Sequence, residues 1–355
     1  MNAKRMFLAA ILPMTLIAIS ALAQDKPQAP SPASAESAAK ESVERLSFLF
    51  GSWELTAKYD KSALLPNGGE AHGRYAAKAG PGGFYTIADF HWTDGPEGEI
   101  SGHEIITWDG AANTYSRYVF GNGFSLPYIS AGHWEGKTLV FDGDFDFETT
   151  KYHFRESITP SPSGTVTLTE SYRTGDSPLQ PMLTTSMKKS PAAKADANVR
   201  TAATLLPELQ KLSFPLGNWH YVQTYEKTPM TPDGGTGEGS YRAAAGPGGE
   251  SIITEFEESS GKMAGISAHE VFAWDAGRKA YVGYAFVSNS PGCFLRGGTW
   301  EGGQLIFTRE IIAGPNTIHM RFVYTEAKSD SVVVQTSMAV GDAPLALAMT
   351  TKASR

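Results

Sequence analysis

Two strand-like stretches of the chain, Ser101 to Tyr118 and Ser267 to Tyr284, each set a carboxylate among aromatic residues, and these acids are the first candidates for chemistry. Glu104 alternates with Ile106 and Trp108, and Glu270 with Phe272 and Trp274, so at a period of two each acid shares a face with its apolar neighbours. A carboxyl group on a face that lines an interior is desolvated and its pKa rises. It can then bind a hydroxyl or a cation, or act as a general acid or base. At a barrel mouth, or hydrogen-bonded to Arg155 or Arg321, the same group would be structural glue. His153-x-Arg155 and His319-x-Arg321 put two basic groups on one strand face, opposite Phe154 and Met320. They could clamp an anionic head group through the bidentate guanidinium, or pair with acids and stack on an indole.

Other reactions find no footing. His103-Glu104 and His269-Glu270 lack the second His that a helical His-Glu-x-x-His needs, since Thr107 and Ala273 stand there and the segments read as strand. With no set of Cys ligands either, no metal site is expected. The Ala-Gly-Pro-Gly-Gly loops at 79–83 and 245–249 are followed by no Lys-Ser/Thr and open no helix, so they are turns and not phosphate cradles. No Gly-x-Ser-x-Gly elbow is present. Nothing calls for a cofactor. A formal charge of -7 and the absence of a basic run interleaved with aromatics argue against nucleic acid as a partner. Cys293 is the only cysteine, which rules out an intrachain disulfide; it reads as a small buried hydrophobe.

What must position these residues is a duplicated frame. His103, Trp108 and Tyr118 are answered by His269, Trp274 and Tyr284 at a constant offset of 166 residues, which holds through the C-terminus. The first unit opens at Leu46 and Gly51-Ser52-Trp53, the second at Leu212 and Gly217-Asn218-Trp219. Within each unit the period is two. Trp53, Leu55, Ala57 and Tyr59 mark one buried strand face, Asp109 to Asn113 a turn between paired strands, and Glu135-Gly136-Lys137 a tight hairpin. Asp109 and Asp275 are placed to start turns through Asx hydrogen bonds. Many short strands with almost no helical periodicity predict an all-β chain of two tandem antiparallel barrels of about eight strands each. Glu41 to Arg45 and Leu205 to Lys211 could add a helical turn before each barrel.

At the N-terminus, Lys4 and Arg5 precede an apolar run from Met6 to Ile19, and Ala21-Leu22-Ala23 supplies small residues for cleavage. This reads as a signal peptide, residues 1–23, and predicts an exported protein, periplasmic or extracellular, with no integral membrane segment after cleavage. Residues 24–43, rich in Pro, Ala and Ser, are expected to be a disordered tether, and 190–204 a linker. The barrels are expected over 44–189 and 205–355, as an intramolecular pseudo-dimer.

The order Leu-x-x-x-x-Gly-x-Trp, a Gly-rich turn, a strand ending Trp-Asp before Tyr-x-x-Tyr, and a Gly-x-Trp-Glu-Gly hairpin resembles bacterial domain of unknown function 1579 in both halves. That family is similar to lipocalins and the wider calycins in fold and has no assigned activity. The resemblance implies that Trp53 and Trp219 plug the closed barrel ends as structural residues. The chain departs from secreted lipocalins in lacking a disulfide and a later Thr-Asp-Tyr motif, so no lipocalin ligand is implied. The residues together predict binding of a small apolar or amphipathic molecule in one or both lumens. The expected walls are Trp108, Tyr118 and Phe120 with Trp274, Tyr284 and Phe286; Glu104, Arg155, Glu270 and Arg321 would steer polar groups. Two alternatives stand beside it: a lumen isomerase or hydrolase working through Glu104 with His153, and a structural or interaction module whose barrels are filled by side chains.

Overall fold

The computed structural model of the chain describes residues 32–122, 126–147, 150–190, 204–228, 231–313 and 316–355. The signal peptide, the start of the tether and nearly all of the 190–204 linker lie outside the described residues. No helix among the described residues is long and apolar enough to cross a membrane.

Alternation of apolar and polar residues makes strands, and short turns make consecutive strands antiparallel neighbours. The first half closes a barrel from β1 (Gly51–Tyr59), β2 (Gly69–Ala79), β3 (Tyr85–Trp92), β4 (Ile100–Asp109), β5 (Thr114–Gly121), β6 (Tyr128–Glu135), β7 (Thr138–Phe147), β8 (Thr150–Pro160), β9 (Val166–Thr174) and β10 (Gln180–Lys189). Each strand pairs with its sequence neighbours, and β1 pairs with β10 to seal the wall. The second half repeats the plan with β11 (Gly217–Tyr225), β12 (Gly235–Ala245), β13 (Ser251–Ser260), β14 (Ser267–Asp275), β15 (Ala280–Val287), β16 (Ser290–Glu301), β17 (Gln304–Ala313), β18 (Asn316–Ala327), β19 (Ser331–Val340) and β20 (Ala346–Ser354). The chain is therefore all-β in two closed antiparallel barrels. Each has ten strands where about eight were expected, and two more strands widen the interior.

One end of each barrel is plugged from within its own unit. Trp53 is fully buried and its indole N–H donates to the Leu49 carbonyl at 2.7 Å. The Tyr115 hydroxyl donates to the Ser42 carbonyl at 2.8 Å and accepts from the Trp134 indole at 3.1 Å. Helix α1 (Pro32–Glu44) and a following 3₁₀ turn at Ser47–Leu49 supply these carbonyls. The helix thus occupies positions expected to be tether, and Ala39 and Val43 on it are buried, which supplies the apolar contact that composition alone did not reveal. Barrel 2 repeats the plug: the Tyr281 hydroxyl donates to the Glu208 carbonyl at 3.0 Å, on α2 (Pro207–Gln210), and the Trp219 indole donates to the Leu216 carbonyl at 3.3 Å. Gly51 and Gly217, with φ of 100° and 106°, start the first strand of each barrel in a backbone conformation that other residues rarely adopt.

Candidate functional site

The hairpin register decides which residues enter the lumen, because directly paired residues on neighbouring strands share a face. Glu104 pairs with Val119, Ile106 with Arg117 and Trp108 with Tyr115, so the lumen side of β5 carries Arg117. On β8 the inward set is Phe154, Glu156 and Ile158, and on β9 it is Leu168 and Glu170, with Glu156 directly opposite Glu170. These groups converge. Arg117 Nε lies 2.8 Å from Glu104 Oε2, its terminal nitrogens bond both oxygens of Glu156, and the Tyr75 hydroxyl donates to Glu104 at 3.0 Å. The guanidinium also lies over the Phe141 ring, 5.1 Å from its centroid.

Burial sets the protonation of this cluster. Burial pushes the Glu104 carboxyl up, and Arg117 only partly offsets it. Burial first, and the neighbouring Glu156 second, push the Glu170 carboxyl well above the carboxylate range. For Arg117, burial works against the charge, but Glu156 and Glu104 outweigh it and hold the guanidinium above its ordinary pKa. Around these groups lies a cavity of about 180 Å³, bordered on its apolar side by residues such as Phe90, Trp92, Leu168 and Met182. Glu97, on the loop between β3 and β4, also borders it.

In barrel 2 the same frame carries different chemistry. Glu270 is inward on β14, paired with Thr254 and Ala285, and its carboxylate meets Arg296 at 2.6 Å. Burial again pushes Glu270 up, opposed by Arg296 and Arg309. The Arg296 guanidinium lies within 4.8 to 5.3 Å of the centroids of Phe272, Phe307 and Phe322. The cavity here is about 90 Å³. Arg309 is buried above the Phe294 ring, 4.3 Å from its centroid, and burial with repulsion from Arg296 brings its pKa down to about 10.

The two arginines come from different strands. At the offset of 166, Arg117 corresponds to Gly283 and Arg296 to Ser130. Arg117 pairs across the ladder with Ser130, and Gly283 with Arg296. A large cation and a small residue have thus exchanged places between adjacent strands, and the acid at 104 or 270 finds a guanidinium either way. A side chain at Gly283 would compete for that space, since an added Cβ would lie 2.9 Å from Arg296 Cγ.

Of the residues expected in a ligand site, Glu104 and Glu270 border the cavities. Trp108 and Trp274 face inward but lie edge-on to Tyr115 and Tyr281 at 5.0 and 4.9 Å, and belong to the packed core rather than the cavity lining. Tyr118, Phe120, Tyr284 and Phe286 point to the outer side of the wall, because they pair with Ile105, His103, Val271 and His269. The register of the hairpin overturns their expected role as lumen walls. Arg155 is also outside, bonded to Asp142 and Glu135, and Arg321 shares the outer face with Thr308. Neither pairs with Glu104 or Glu270 as expected, nor stacks on the plug indoles; Lys189 and Arg355 lie over Trp53 and Trp219 instead. His153 bonds Asp144 at 2.9 Å on the outer face, so the wall separates it from Glu104 and the proposed acid and imidazole pair does not form. His103 meets Asp89 at 2.6 Å and His319 meets Glu310 at 3.0 Å, both on outer faces, and no cluster of metal-ligating residues exists among the described residues. The residues missed had a signal: Glu156 has the parity of Phe154 and Ile158, and Arg117 that of Tyr115 and Val119, a charge on an apolar strand face in each case.

No family model matches the chain, and no curated protein matches it. Membership in domain of unknown function 1579 is therefore not established. Among solved structures, the chain is similar to Rv2717c from M. tuberculosis at 13% identity and a TM-score of 0.32, over 42% of this chain and 96% of that one. It is similar to a protein of unknown function of the DUF3598 family from Nostoc punctiforme at 9% identity and a TM-score of 0.23, over 88% and 98% of the two chains. An outer-membrane protein candidate from Bacteroides fragilis matches at 9% identity and a TM-score of 0.22, over 88% and 99%.

Proposed function

We propose that the chain is an exported binding protein that holds a small amphipathic molecule in the lumen of barrel 1. The observation that carries this reading is the cavity of about 180 Å³ between an apolar wall and the cluster of Glu104, Arg117, Glu156 and Glu170. An apolar cavity of roughly 150 Å³ is enough to take up benzene, so the space suits a ligand of one ring or a short chain. A barrel serving only as a filled structural module would have no use for buried charge beside open volume. The cavity of about 90 Å³ in barrel 2 leaves that barrel the lesser binder. Kinship with domain of unknown function 1579 belongs to the same proposal, on the Gly-x-Trp and Gly-x-Trp-Glu-Gly motifs.

Native mass spectrometry of the exported protein, together with displacement of a small hydrophobic dye, tests it. Uptake is expected in the wild type, with at least tenfold weaker dye binding in Glu104→Gln or Arg117→Met. In Arg155→Ala, whose change lies on the outer wall, it should be unaltered. Absence of uptake in the wild type, or equal effects of inner and outer substitutions, would sink the proposal.

A further inference from the structure

The interior of barrel 1 has an unbalanced set of charges. Four carboxyl groups, Glu97, Glu104, Glu156 and Glu170, border the cavity, and Arg117 is the one basic residue among its lining. Arg117 is already engaged by Glu104 and Glu156, so it offers little to an incoming anion. Glu170 makes no bond to Arg117; its partner across the ladder is another acid, Glu156. Two neighbouring carboxyl groups repel each other when both are ionised, and Arg117 sits against Glu156 alone of the two, so a proton or a second cation beside Glu170 relieves the pair. The lining also includes the aromatic side chains of Tyr59, Tyr75, Phe90 and Trp92, and the face of such a ring attracts a cation.

We propose that the barrel 1 lumen takes a small organic cation, a protonated amine or quaternary ammonium, seated beside the paired carboxyl groups of Glu156 and Glu170. The inference rests on the lumen-binding reading and names its ligand class. No bond within the ligand changes: the cation enters, and one proton leaves the pair for solvent. The groups facing Glu170 fit this exchange. They are Glu156 from β8, Arg117 from β5, Glu104 from β4, Tyr128 from β6, Tyr59 from β1 and Glu97 from the β3–β4 loop. Among the described residues of this set only Arg117 is a cation, and the buried acids Glu104 and Glu156 hold it.

Three probes of one size test the idea with the full mature chain: benzylamine, benzyl alcohol and benzoate, titrated calorimetrically between pH 5.5 and 7.5. Benzylamine should bind at least tenfold more tightly than benzyl alcohol at pH 7.5, and benzoate should not bind. Because a proton must leave, benzylamine affinity should fall by up to about tenfold for each unit that the pH drops. The proton released should show as a dependence of the heat on the buffer. Glu170→Gln should lose both the preference and the pH slope. Glu170→Thr, which copies Thr336 at the matching position of barrel 2, serves the same purpose should the glutamine variant fold poorly. Benzyl alcohol binding as tightly as benzylamine, or a flat pH profile, overturns the proposal. Failure of all three probes with dye uptake intact overturns it too and leaves lumen binding standing, whereas failure of probes and dye together removes both.

Discussion

The two barrels share a frame and differ in what they enclose. Both keep the plug, with Trp53 and Trp219 on backbone carbonyls and Tyr115 and Tyr281 bonded to the preceding helix. Both keep an inward acid, Glu104 or Glu270, bound by an arginine. Around that pair they diverge: Phe322 and Thr336 stand in barrel 2 where Glu156 and Glu170 stand in barrel 1. Barrel 1 is therefore rich in carboxyl groups and roomier, while barrel 2 stacks its arginine on three phenylalanines. The lesson is that the closed end is retained by packing and hydrogen-bond requirements, which both halves must meet to stay folded. The lumen is free to change as long as each buried charge finds a partner.

That comparison can be broken most forcefully at the exchanged arginine. Arg117→Ala should destabilise barrel 1 by about 3–5 kcal/mol, because it leaves Glu104 and Glu156 buried without their cation. The paired change Arg117→Gly with Ser130→Arg copies barrel 2 and should recover more than half of that loss in urea unfolding. If the double variant is no more stable than Arg117→Ala, the two arrangements are not interchangeable.

A second test concerns Glu258, which burial pushes up to about 7. Trp92 takes its place in barrel 1, where burial raises Glu170 instead. A carboxyl with a raised folded pKa binds more protons in the folded chain than in the unfolded one. Its penalty is absent below the ordinary value of 4.5 and grows as pH rises through about 7. The wild type should lose about 3 kcal/mol of barrel 2 stability across that window. Urea midpoints at several pH values should show this slope reduced in Glu258→Gln, and an unchanged slope would show that the group titrates normally.

The smallest expected effect sharpens the shared half of the comparison. Tyr115→Phe and Tyr281→Phe each remove one hydrogen bond between barrel and helix, at about 0.5–1.5 kcal/mol. The two losses should agree closely in thermal unfolding. A marked difference would mean that one plug matters more to its barrel than the other.

Much of this molecule could be read one strand at a time. Trp53, Leu55, Ala57 and Tyr59 were legible as a buried face, and the structure buries all four. Asp109 starts its turn by accepting from the amides of Ala111 and Ala112, as an Asx residue at that place should. Glu104 and Glu270 face inward because they alternate in step with Ile106 and Phe272. The errors came at the turns. Tyr118 and Phe120 were placed with Trp108, but the turn after Asp109 pairs Trp108 with Tyr115 and so reverses which residues of β5 face in. On β8 the basic pair His153 and Arg155 drew attention, while Glu156, on the apolar face, carried the interior.

Sequence alone determined the duplication, the all-β character and the shared face of Glu104 and Glu270 with their apolar neighbours, because these depend on repeats and on the strict period of two within a single strand. The plug role of Trp53 and Trp219 was implied by the family resemblance. Closure into ten strands, the partnership of Glu104 with Arg117 and of Glu270 with Arg296, and the meeting of Glu156 with Glu170 were decided only in the tertiary structure. The physical reason is that a turn sets how one strand's alternation is phased against the next. A change of one residue in that phase moves every side chain to the other side of the wall.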